Sequence, residues 1–252
     1  MRWGTLVGMS APKRQFTGSN LRIRRDVSLA PLTTLELGGT AQAFAEIDDV
    51  ATAREAVRWA RRHDMPLAII GGGSNLVIAD QGFAGAGIRF RMRGIEIDAA
   101  GDRALLTASA GEPWDELIAT TVSQGLAGLE CLSGIPGWVG ATPIQNVGAY
   151  GQEVAGVIER VRVLDLTSLE ERTIAREACS FSYRTSTFRE FPGRYLILSV
   201  TFALQRGGRP KVEYRELRRA LGISRAVPSL QEVRSAVLEL RRAKSMVIEE
   251  SD

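Results

Sequence analysis

Alanine and valine recur at helical spacing in the first quarter of the chain. Their positions on one helical face are Val50, Ala53, Val57 and Ala60. Asp48 or Asp49 stands where an N-cap residue is expected, so the pattern predicts a helix that begins near Asp49 and ends near His63.

Short apolar runs and strict alternation predict the strands. Residues 67–70 form a buried-strand run, and residues 76–78 resume strand character after a glycine interruption. Residues 105–110 predict another strand, and Val161 and Val163 alternate with arginines in a further one. Alternation along one face also marks a longer strand, at Leu196, Leu198, Val200, Phe202 and Leu204.

Two more helices are recognised by their ends. Pro113 opens a helical stretch over residues 114–124, and Ser-Leu-Gln-Glu at 229–232 is a capping box that begins a last helix near Leu230. The pattern of elements changes after Gly94, which predicts a domain boundary there. Residues 1–25 are polar, basic and aperiodic, so we interpret them as a loose extension.

The composition excludes several classes of chemistry. With two cysteines and a single histidine, His63, the chain lacks the ligands of a zinc site, and a Ser/His triad would have to use His63. We expect no metal and no disulfide framework. The net charge of +3 is spread along the chain, which hints at anionic ligands and does not imply nucleic acid. No apolar stretch reaches membrane-spanning length, so we expect a soluble cytoplasmic protein.

The loop Gly71-Gly72-Gly73-Ser74-Asn75 is the first candidate for ligand binding. Glycines lack Cβ atoms, so successive amide N–H groups can approach an anion such as a diphosphate closely. The loop is neither a Rossmann fingerprint nor a P-loop, because it lacks the third spaced glycine and the Gly-Lys-Ser/Thr ending. On these residues alone, a tight structural turn and a ligand loop both remain open.

Residues 134–151 contain five glycines among many apolar residues, whereas ordinary surface loops are more polar. Such a segment can bring backbone amides, Gln145 and Asn146 against a flat heteroaromatic ring, with Ile135 and Ile144 covering its apolar faces. The alternative is a buried glycine-rich turn that packs two elements together.

Two cations in the second half of the chain are further candidates. Arg184 lies among hydroxyl and aromatic residues, where it would clamp a carboxylate and stabilise negative charge in a transition state, or form a structural ion pair. Lys244 lies one turn beyond Leu240, and the simplest interpretation is a cation that complements the C-terminus of the last helix.

Taken in order, these segments resemble the UDP-N-acetylenolpyruvoylglucosamine reductase family, flavoenzymes of peptidoglycan precursor synthesis. The resemblance runs from about residue 30 to residue 244. It rests on Pro-Leu-Thr-Thr-Leu at 31–35 with the glycine pair at 38–39, on the loop at 71–75, on Ile-Pro-Gly at 135–137 through 143–151, and on Tyr183-Arg184.

The resemblance implies an α+β fold of the vanillyl-alcohol oxidase/PCMH type, with two FAD-binding subdomains. We assign these to residues 26–94 and 95–207, followed at 208–252 by a linker and the start of a substrate-binding domain. The implied reaction uses NADPH to reduce FAD, followed by hydride transfer from flavin N5 to UDP-N-acetylenolpyruvoylglucosamine, which gives UDP-N-acetylmuramate.

The same resemblance implies roles for individual residues. Those implied to bind FAD are Gly71, Gly72, Gly73, Ser74, Asn75, Leu76, Ile135, Gly137, Thr142, Ile144, Gln145, Asn146 and Ile197. Arg184 corresponds to the arginine that orients the enolpyruvyl carboxylate, which favours its catalytic interpretation. Those implied to meet the UDP-sugar are Tyr150, Tyr183, Tyr214 and Lys244. We expect no nucleic-acid or membrane partner, and a monomer.

One departure from the family pattern affects the expected activity. Relatives carry a Gly-Ser-Phe-Phe motif after the helix that bears the Lys244 equivalent, and its serine donates the proton; a glutamate follows later. The 252 residues contain no such string, so neither residue is assigned and we expect the third domain to be mostly absent. Three hypotheses remain: the family reductase, a flavin-binding module without turnover, and another FAD-linked oxidase of the same fold.

Overall fold

A computed structural model describes residues 21–222 and 227–248, so most of the predicted extension lies outside the described residues. The last two residues of the predicted extension, Arg24 and Arg25, begin strand β1 (Arg24–Ser28). The Arg24 guanidinium lies 5.2 Å from the centre of the Phe44 ring, and that of Arg25 lies 5.2 Å from the Trp59 ring. The strand therefore starts before the predicted end of the extension, because pairing and stacking hold both arginines.

The first sheet contains β1, β2 (Thr40–Ile47), β3 (Leu67–Ile70) and β4 (Phe83–Phe90). These four strands lie in the order β1-β2-β4-β3. β1 is antiparallel to β2, whereas β2 and β3 both run parallel to β4. Parallel strands need a crossover connection, and a helix, α1 (Val50–Arg62), connects β2 to β3.

Helix α1 confirms the helix predicted to begin near Asp49. The Asp49 carboxylate accepts a hydrogen bond from the Thr52 amide at 2.8 Å, which satisfies an N–H group that the helix itself leaves free. The helix ends at Arg62 with His63 as its C-cap, which agrees with the predicted end near His63. Its small apolar face is buried against the sheet through Ala53, Ala56, Val57 and Ala60.

Residues 76–78 are not a strand, so that prediction was wrong. β3 and β4 are parallel neighbours, with Leu67 opposite Ala86. A hairpin cannot join parallel neighbours, so the chain leaves the sheet after β3 and crosses back to the start of β4. In this connection the Gly39 amide donates to the Ala79 carbonyl at 3.0 Å, and Val77 is 83% exposed. The glycine loop at 71–75 therefore opens a connection between strands.

The second sheet comprises β5 (Ile95–Ala100), β6 (Arg103–Ser109), β10 (Ile158–Asp165), β11 (Glu171–Ala175) and β12 (Tyr195–Arg206). Its order is β11-β10-β12-β6-β5, all neighbours antiparallel, with β7 (Leu126–Ala127) paired to β12. A small hairpin pairs β8 (Gly148–Ala149) with β9 (Gln152–Glu153). The boundary predicted after Gly94 falls between β4 and β5, although one hydrophobic core includes residues of both sheets.

Strand β12 confirms the predicted alternation and adds a second buried face. Phe202 is fully buried on the predicted face, and its neighbours on the other face, Ile197, Ser199 and Thr201, are also at most 6% exposed. Thr201 forms a hydroxyl–hydroxyl hydrogen bond of 2.9 Å with Thr107 on β6. β12 lies between β10 and β6 in the middle of the sheet, and elements packed above and below it cover its faces, as Trp114 does with Phe202 at 5.8 Å between ring centres.

The remaining helices are α2 (Trp114–Ser123), α3 (Thr187–Glu190), α4 (Arg215–Ala220) and α5 (Leu230–Arg242). Pro113 caps α2, and Ser229 with Glu232 forms the capping box of α5, so both predicted helix starts are confirmed. Arg234 on α5 donates two hydrogen bonds, of 2.6 and 2.7 Å, to Asp115 on α2. Asp115 also accepts from the Gly134 amide at 2.5 Å, so α5 is fastened to the start of the second glycine-rich segment.

Both cysteines are buried and free. Burial raises the pKa of Cys131 to about 12 and that of Cys179 to about 11, with Glu130 and Glu177 adding to the shifts. Because the thiolate is the reactive form, neither thiol of the folded protein is expected to react with Ellman's reagent at mildly alkaline pH, whereas both react in guanidinium chloride. The release of thionitrobenzoate with and without denaturant measures this. Rapid reaction of either thiol before unfolding would contradict the buried placement.

Candidate functional site

The glycine loop at 71–75 packs against the second glycine-rich segment. A Cβ atom built on Gly72 would lie 2.8 Å from the Cα atom of Gly137, so the two backbones approach as closely as glycine allows. Two side-chain hydrogen bonds join the segments: Ser74 Oγ to the Pro136 carbonyl at 3.2 Å, and Asn75 Nδ2 to Gln145 Oε1 at 3.0 Å. The structure thus brings together two candidate stretches that are far apart in the sequence.

A cavity of about 430 Å³ lies between these segments, and we call it the glycine cavity. Most residues predicted to contact a cofactor line it, namely Gly71, Gly72, Gly73, Ser74, Asn75, Leu76, Ile135, Thr142, Ile144 and Gln145. Gly137 contributes the close backbone contact to Gly72. The cavity therefore unites apolar surface with a few amide and hydroxyl groups, which is typical of small-molecule sites.

A second cavity of about 420 Å³ adjoins the first, and we call it the apolar cavity. The two share a wall that includes Ile69, Gly71, Trp138, Ile144 and Arg189. The predicted cofactor residue Ile197 lines this second cavity. Together the cavities form a continuous lining that an elongated ligand can follow.

Trp114 and Trp138 line the glycine cavity, although the sequence analysis assigned neither to a site. Trp114 is 1% exposed, and its indole Nε1 has no hydrogen-bond partner among the described residues. The Arg89 guanidinium lies 4.6 Å from the centre of the Trp138 ring, and this cation–π contact stabilises the position of the ring. The sequence marked Trp114 only as the first residue of a helix, and no local pattern distinguishes a cavity wall from a core position there.

A larger cleft of about 990 Å³ contains every residue predicted to meet a substrate, and we call it the tyrosine cleft. These residues are Tyr150, Tyr183, Arg184, Tyr214 and Lys244. They come from the β8–β9 hairpin, the turn before α3, the segment before α4 and the end of α5. No short stretch of sequence contains them all, so only the fold assembles this set.

Arg184 is held by backbone carbonyl groups. Its guanidinium donates to the carbonyl of Gly148 at 2.6 Å and to that of Asn146 at 3.4 Å, and it lies 5.7 Å from the centre of the Tyr183 ring. These acceptors carry no formal charge. An arginine has five N–H donors, so this one retains positive charge and free donors for an anionic ligand in the cleft.

Asn146 differs from the prediction that its side chain meets a flat ring. The residue is 1% exposed, and its amide Nδ2 donates to Glu153 Oε2 at 2.9 Å and to the Ser182 carbonyl at 3.0 Å. Its Oδ1 accepts from the Ala155 amide at 3.1 Å. These internal partners occupy the side chain, so Asn146 braces the β8–β9 hairpin against the turn that carries Arg184.

Three residues of the tyrosine cleft adopt left-handed backbone conformations, with φ of 47° at Asn146, 48° at Tyr150 and 56° at Arg184. This conformation is uncommon for residues other than glycine and is found preferentially at functional sites. Hydrogen bonds hold Asn146 and Arg184 in this geometry, and an edge-on contact with the Tyr214 ring accompanies it at Tyr150.

The C-terminal end of α5 supplies further charge to the cleft. Lys244 Nζ donates to Glu216 Oε2 at 2.7 Å, and this hydrogen bond raises the pKa of the ammonium. Burial raises the pKa of Tyr150, although Lys244 and Arg241 act in the opposite direction. Arg241 lines the same cleft, is 9% exposed, and has no partner for its Nε among the described residues. Arg241 was not among the residues predicted to belong to the site.

Three features of the described residues bear on metal binding, on the single histidine and on membrane spans. Among these residues, no group of three or more His, Cys, Asp or Glu side chains is arranged to hold a metal ion. His63 is exposed, its Nδ1 lies 2.8 Å from the Trp59 carbonyl, and its ring stacks on Trp59. No helix of residues 21–222 and 227–248 has both the length and the apolar character needed to cross a membrane.

Comparison with known proteins shows the family of this chain. A family model described as FAD binding domain matches residues 41–169. The UDP-N-acetylenolpyruvoylglucosamine reductase of Saccharopolyspora erythraea is 47% identical over 231 residues, which cover 89% of this chain and 62% of the relative. That of Nocardia farcinica is 41% identical over 264 residues, covering 99% of this chain and 67% of the relative. The chain thus spans about two thirds of the length of these relatives.

Solved structures show the same fold. The UDP-N-acetylenolpyruvylglucosamine reductase of Thermus caldophilus matches with a TM-score of 0.65 at 23% identity, covering 89% of this chain and 70% of that one. A VAO-type flavoprotein of Myceliophthora thermophila matches with a TM-score of 0.50 at 16% identity, covering 66% and 32%. The predicted α+β FAD-binding fold of the vanillyl-alcohol oxidase type is confirmed. On the identities and coverage above, this chain belongs to the UDP-N-acetylenolpyruvoylglucosamine reductase family and carries its FAD-binding domain.

Proposed function

We propose that this chain binds FAD along the glycine cavity and the apolar cavity, and presents it to a substrate in the tyrosine cleft. Two features of the glycine cavity fit the cofactor. A Cβ atom on Gly71 would meet no protein atom within 4 Å, so the absent side chain leaves room for a ligand. Trp114 lines the glycine cavity, and its buried indole N–H has no hydrogen-bond partner among the described residues, so we assign to it an acceptor on the cofactor.

The residues that would hold FAD fall into two groups. Gly71, Gly72 and Gly73 offer backbone amides to the diphosphate, and Ser74, Asn75 and Gln145 offer polar side-chain groups. Ile135, Ile144 and Ile197 supply apolar surface for the rings. When bound, FAD would supply the redox chemistry, accepting electrons from NADPH and reducing the substrate double bond.

We further propose that the substrate is UDP-N-acetylenolpyruvoylglucosamine, reduced to UDP-N-acetylmuramate in peptidoglycan precursor synthesis. The observation that carries this proposal is the tyrosine cleft, where Arg184 keeps free donors near tyrosines and Lys244. Arg184 would orient the enolpyruvyl carboxylate and stabilise negative charge that develops on it. Tyr150, Tyr183, Tyr214 and Lys244 would bind the UDP-sugar.

A second candidate function is a binding module, because none of the described residues of the tyrosine cleft is assigned as a proton donor. The chain would then bind FAD and the nucleotide-sugar without turnover, because general-acid catalysis contributes about two to four orders of magnitude to the rate. No residue of this chain is assigned as the proton donor.

One experiment separates these functions. The purified full chain is saturated with FAD, and NADPH oxidation is followed with and without UDP-N-acetylenolpyruvoylglucosamine while the product is detected by mass spectrometry. Substrate-dependent oxidation with formation of UDP-N-acetylmuramate supports the reductase. Tight FAD and substrate binding without product supports the binding module. Bleaching of the flavin by an alcohol and not by NADPH would identify an oxidase and overturn the proposal.

Trp114→Phe is expected to weaken FAD binding about threefold to tenfold, because it removes one neutral hydrogen-bond donor from the glycine cavity. The thermal stability of the protein without FAD should change little, since the Nε1 atom has no protein partner to lose. Titration of flavin fluorescence measures the affinity. Trp59→Phe, at a tryptophan on α1 outside both cavities, is the matched control. Unchanged FAD affinity in Trp114→Phe would show that the Trp114 indole does not contact FAD.

Lys244→Met is expected to weaken binding of UDP about threefold to fivefold, because an exposed ammonium attracts the diphosphate only modestly in water. Isothermal titration of the FAD-loaded protein with UDP measures this. Lys211→Met is the matched control, since Lys211 is exposed and does not line the cleft. An equal loss in both variants would mean that Lys244 acts only through overall charge.

A further inference from the structure

We infer that Arg189 is a cofactor-binding residue that neutralises the FAD diphosphate and links the occupied cofactor site to Arg184. This inference rests on the proposed course of FAD through the two cavities. Arg189 lies on α3, next to the predicted Tyr183-Arg184 motif, and the sequence analysis did not assign it to a site.

The charge distribution of the two cavities points to Arg189. Among the described residues, it is the only charged one that lines either the glycine cavity or the apolar cavity. All other lining residues are apolar, glycine or neutral polar, such as Ser74, Asn75 and Gln145. A dinucleotide carries two negative charges on its diphosphate. Backbone amides offer only partial positive charge, so Arg189 supplies the one full countercharge in this lining.

The position of Arg189 agrees with the middle of a dinucleotide. It belongs to the wall that the two cavities share, together with Gly71 of the glycine loop. FAD has an aromatic group at each end and its diphosphate between them. A molecule with one ring system in each cavity would place its diphosphate at the shared wall. The glycine amides and the Arg189 guanidinium both lie there.

Arg189 also reaches the substrate side of the site. Its Nη1 atom donates a hydrogen bond to the backbone carbonyl of Arg184. The start of α3 is fixed independently, because Ser186 Oγ donates to the Ile144 carbonyl at 2.6 Å and accepts from the Phe188 amide at 3.2 Å. A diphosphate that holds the Arg189 guanidinium therefore also holds the carbonyl group of the turn that presents Arg184 to the cleft.

The test compares FAD with riboflavin, which has the same ring and no phosphate. Titration of flavin fluorescence gives the dissociation constants for the wild-type protein, Arg189→Met, Arg189→Lys and the control Arg62→Met, an exposed arginine on α1 outside both cavities. Arg189→Met is expected to weaken FAD binding about tenfold or more and to leave riboflavin binding within about twofold. Arg189→Lys should retain most of the affinity for FAD, and Arg62→Met all of it.

The outcomes separate this inference from the proposed function. Equal weakening of FAD and riboflavin in Arg189→Met would show a structural role and overturn the inference, as would unchanged FAD affinity. Failure of the folded wild-type protein to bind FAD would overturn the proposed cofactor site itself. Loss of the difference between wild type and Arg189→Met at high salt would support the inference, because salt screens an exposed charge.

Discussion

Replacement of Arg184 by methionine is expected to weaken binding of UDP-N-acetylenolpyruvoylglucosamine about tenfold to a hundredfold while UDP binding stays within about twofold. Charge-assisted hydrogen bonds to a carboxylate are the strong ones, and the loss of such a pair has effects of this size. UDP lacks the enolpyruvyl carboxylate, so it does not report on Arg184. Isothermal titration of the FAD-loaded protein with both ligands measures the contrast.

Lys244→Met provides the comparison, because its loss should appear equally with UDP and with the full substrate, which contains the same diphosphate. Arg160→Met, at an exposed arginine of β10, controls for overall charge. Arg184 also holds the carbonyl groups of Gly148 and Asn146, so the thermal stability of the variant is measured in parallel. Equal weakening of the binding of UDP and of the full substrate would mean that Arg184 only stabilises the structure of the cleft. That result would contradict the proposed contact between Arg184 and the carboxylate.

Gly73→Ala is expected to destabilise the protein by about 2–4 kcal/mol, whereas Gly71→Ala should leave stability nearly unchanged and weaken FAD binding about tenfold or more. Gly73 has a φ of +74°, and a Cβ atom there would lie 1.8 Å from the Leu32 carbonyl oxygen. A Cβ atom on Gly71 meets no protein atom within 4 Å and points into open space beside both cavities. One glycine is thus required by the fold and the other by the ligand.

Thermal unfolding without FAD and fluorescence titration with FAD measure the two effects. A loss of 2–4 kcal/mol corresponds to a fall in melting temperature of roughly 4–16 °C for a chain of this size. Gly101→Ala is not a suitable control, because its φ of +61° is itself strained. Gly156→Ala is suitable, since no atom lies within 4 Å of its added Cβ and its φ is outside the left-handed region. Full FAD affinity in Gly71→Ala would place the ligand elsewhere.

The helices were predictable because their signals are local. Asp49 and Ser229 cap their helices through side-chain contacts within three residues, and the apolar face of α1 repeats at helical spacing. Strand β12 was equally clear from its alternation. The burial of its second face depends on segments that are distant in the sequence, so the alternation alone could not reveal it.

The wrong strand at 76–78 shows the limit of this reasoning. Three apolar residues in a row satisfy a strand pattern, but the parallel pairing of β3 with β4 forces the chain out of the sheet at that point. A short apolar run contains no information about the direction of the strand that follows. The topology therefore overrode the local preference.

The sequence predicted the motifs of the candidate site but not the contacts that its residues make. The resemblance identified both glycine-bearing stretches, and the fold brings them together at Gly72 and Gly137. The resemblance did not predict that the side-chain amide of Asn146 forms hydrogen bonds with other parts of the protein. A polar residue in a glycine-rich loop can equally well contact a ligand or stabilise the loop. Trp114 was missed because it begins a helix whose own pattern explains it, and Arg189 because no pattern in the sequence marks the short helix α3 that contains it.

The pairing of β12 with β6 also has a consequence for how the protein matures. Ser199 pairs with Ser109, so during translation the earlier strand leaves the ribosome long before its partner is made. Until then β6 presents an open strand edge, and the wall that includes Ile197 and Arg189 does not exist. On the proposed course of the cofactor, flavin in the cell would be captured only after this late strand has docked, so cofactor loading would follow the assembly of the second sheet on the nascent chain.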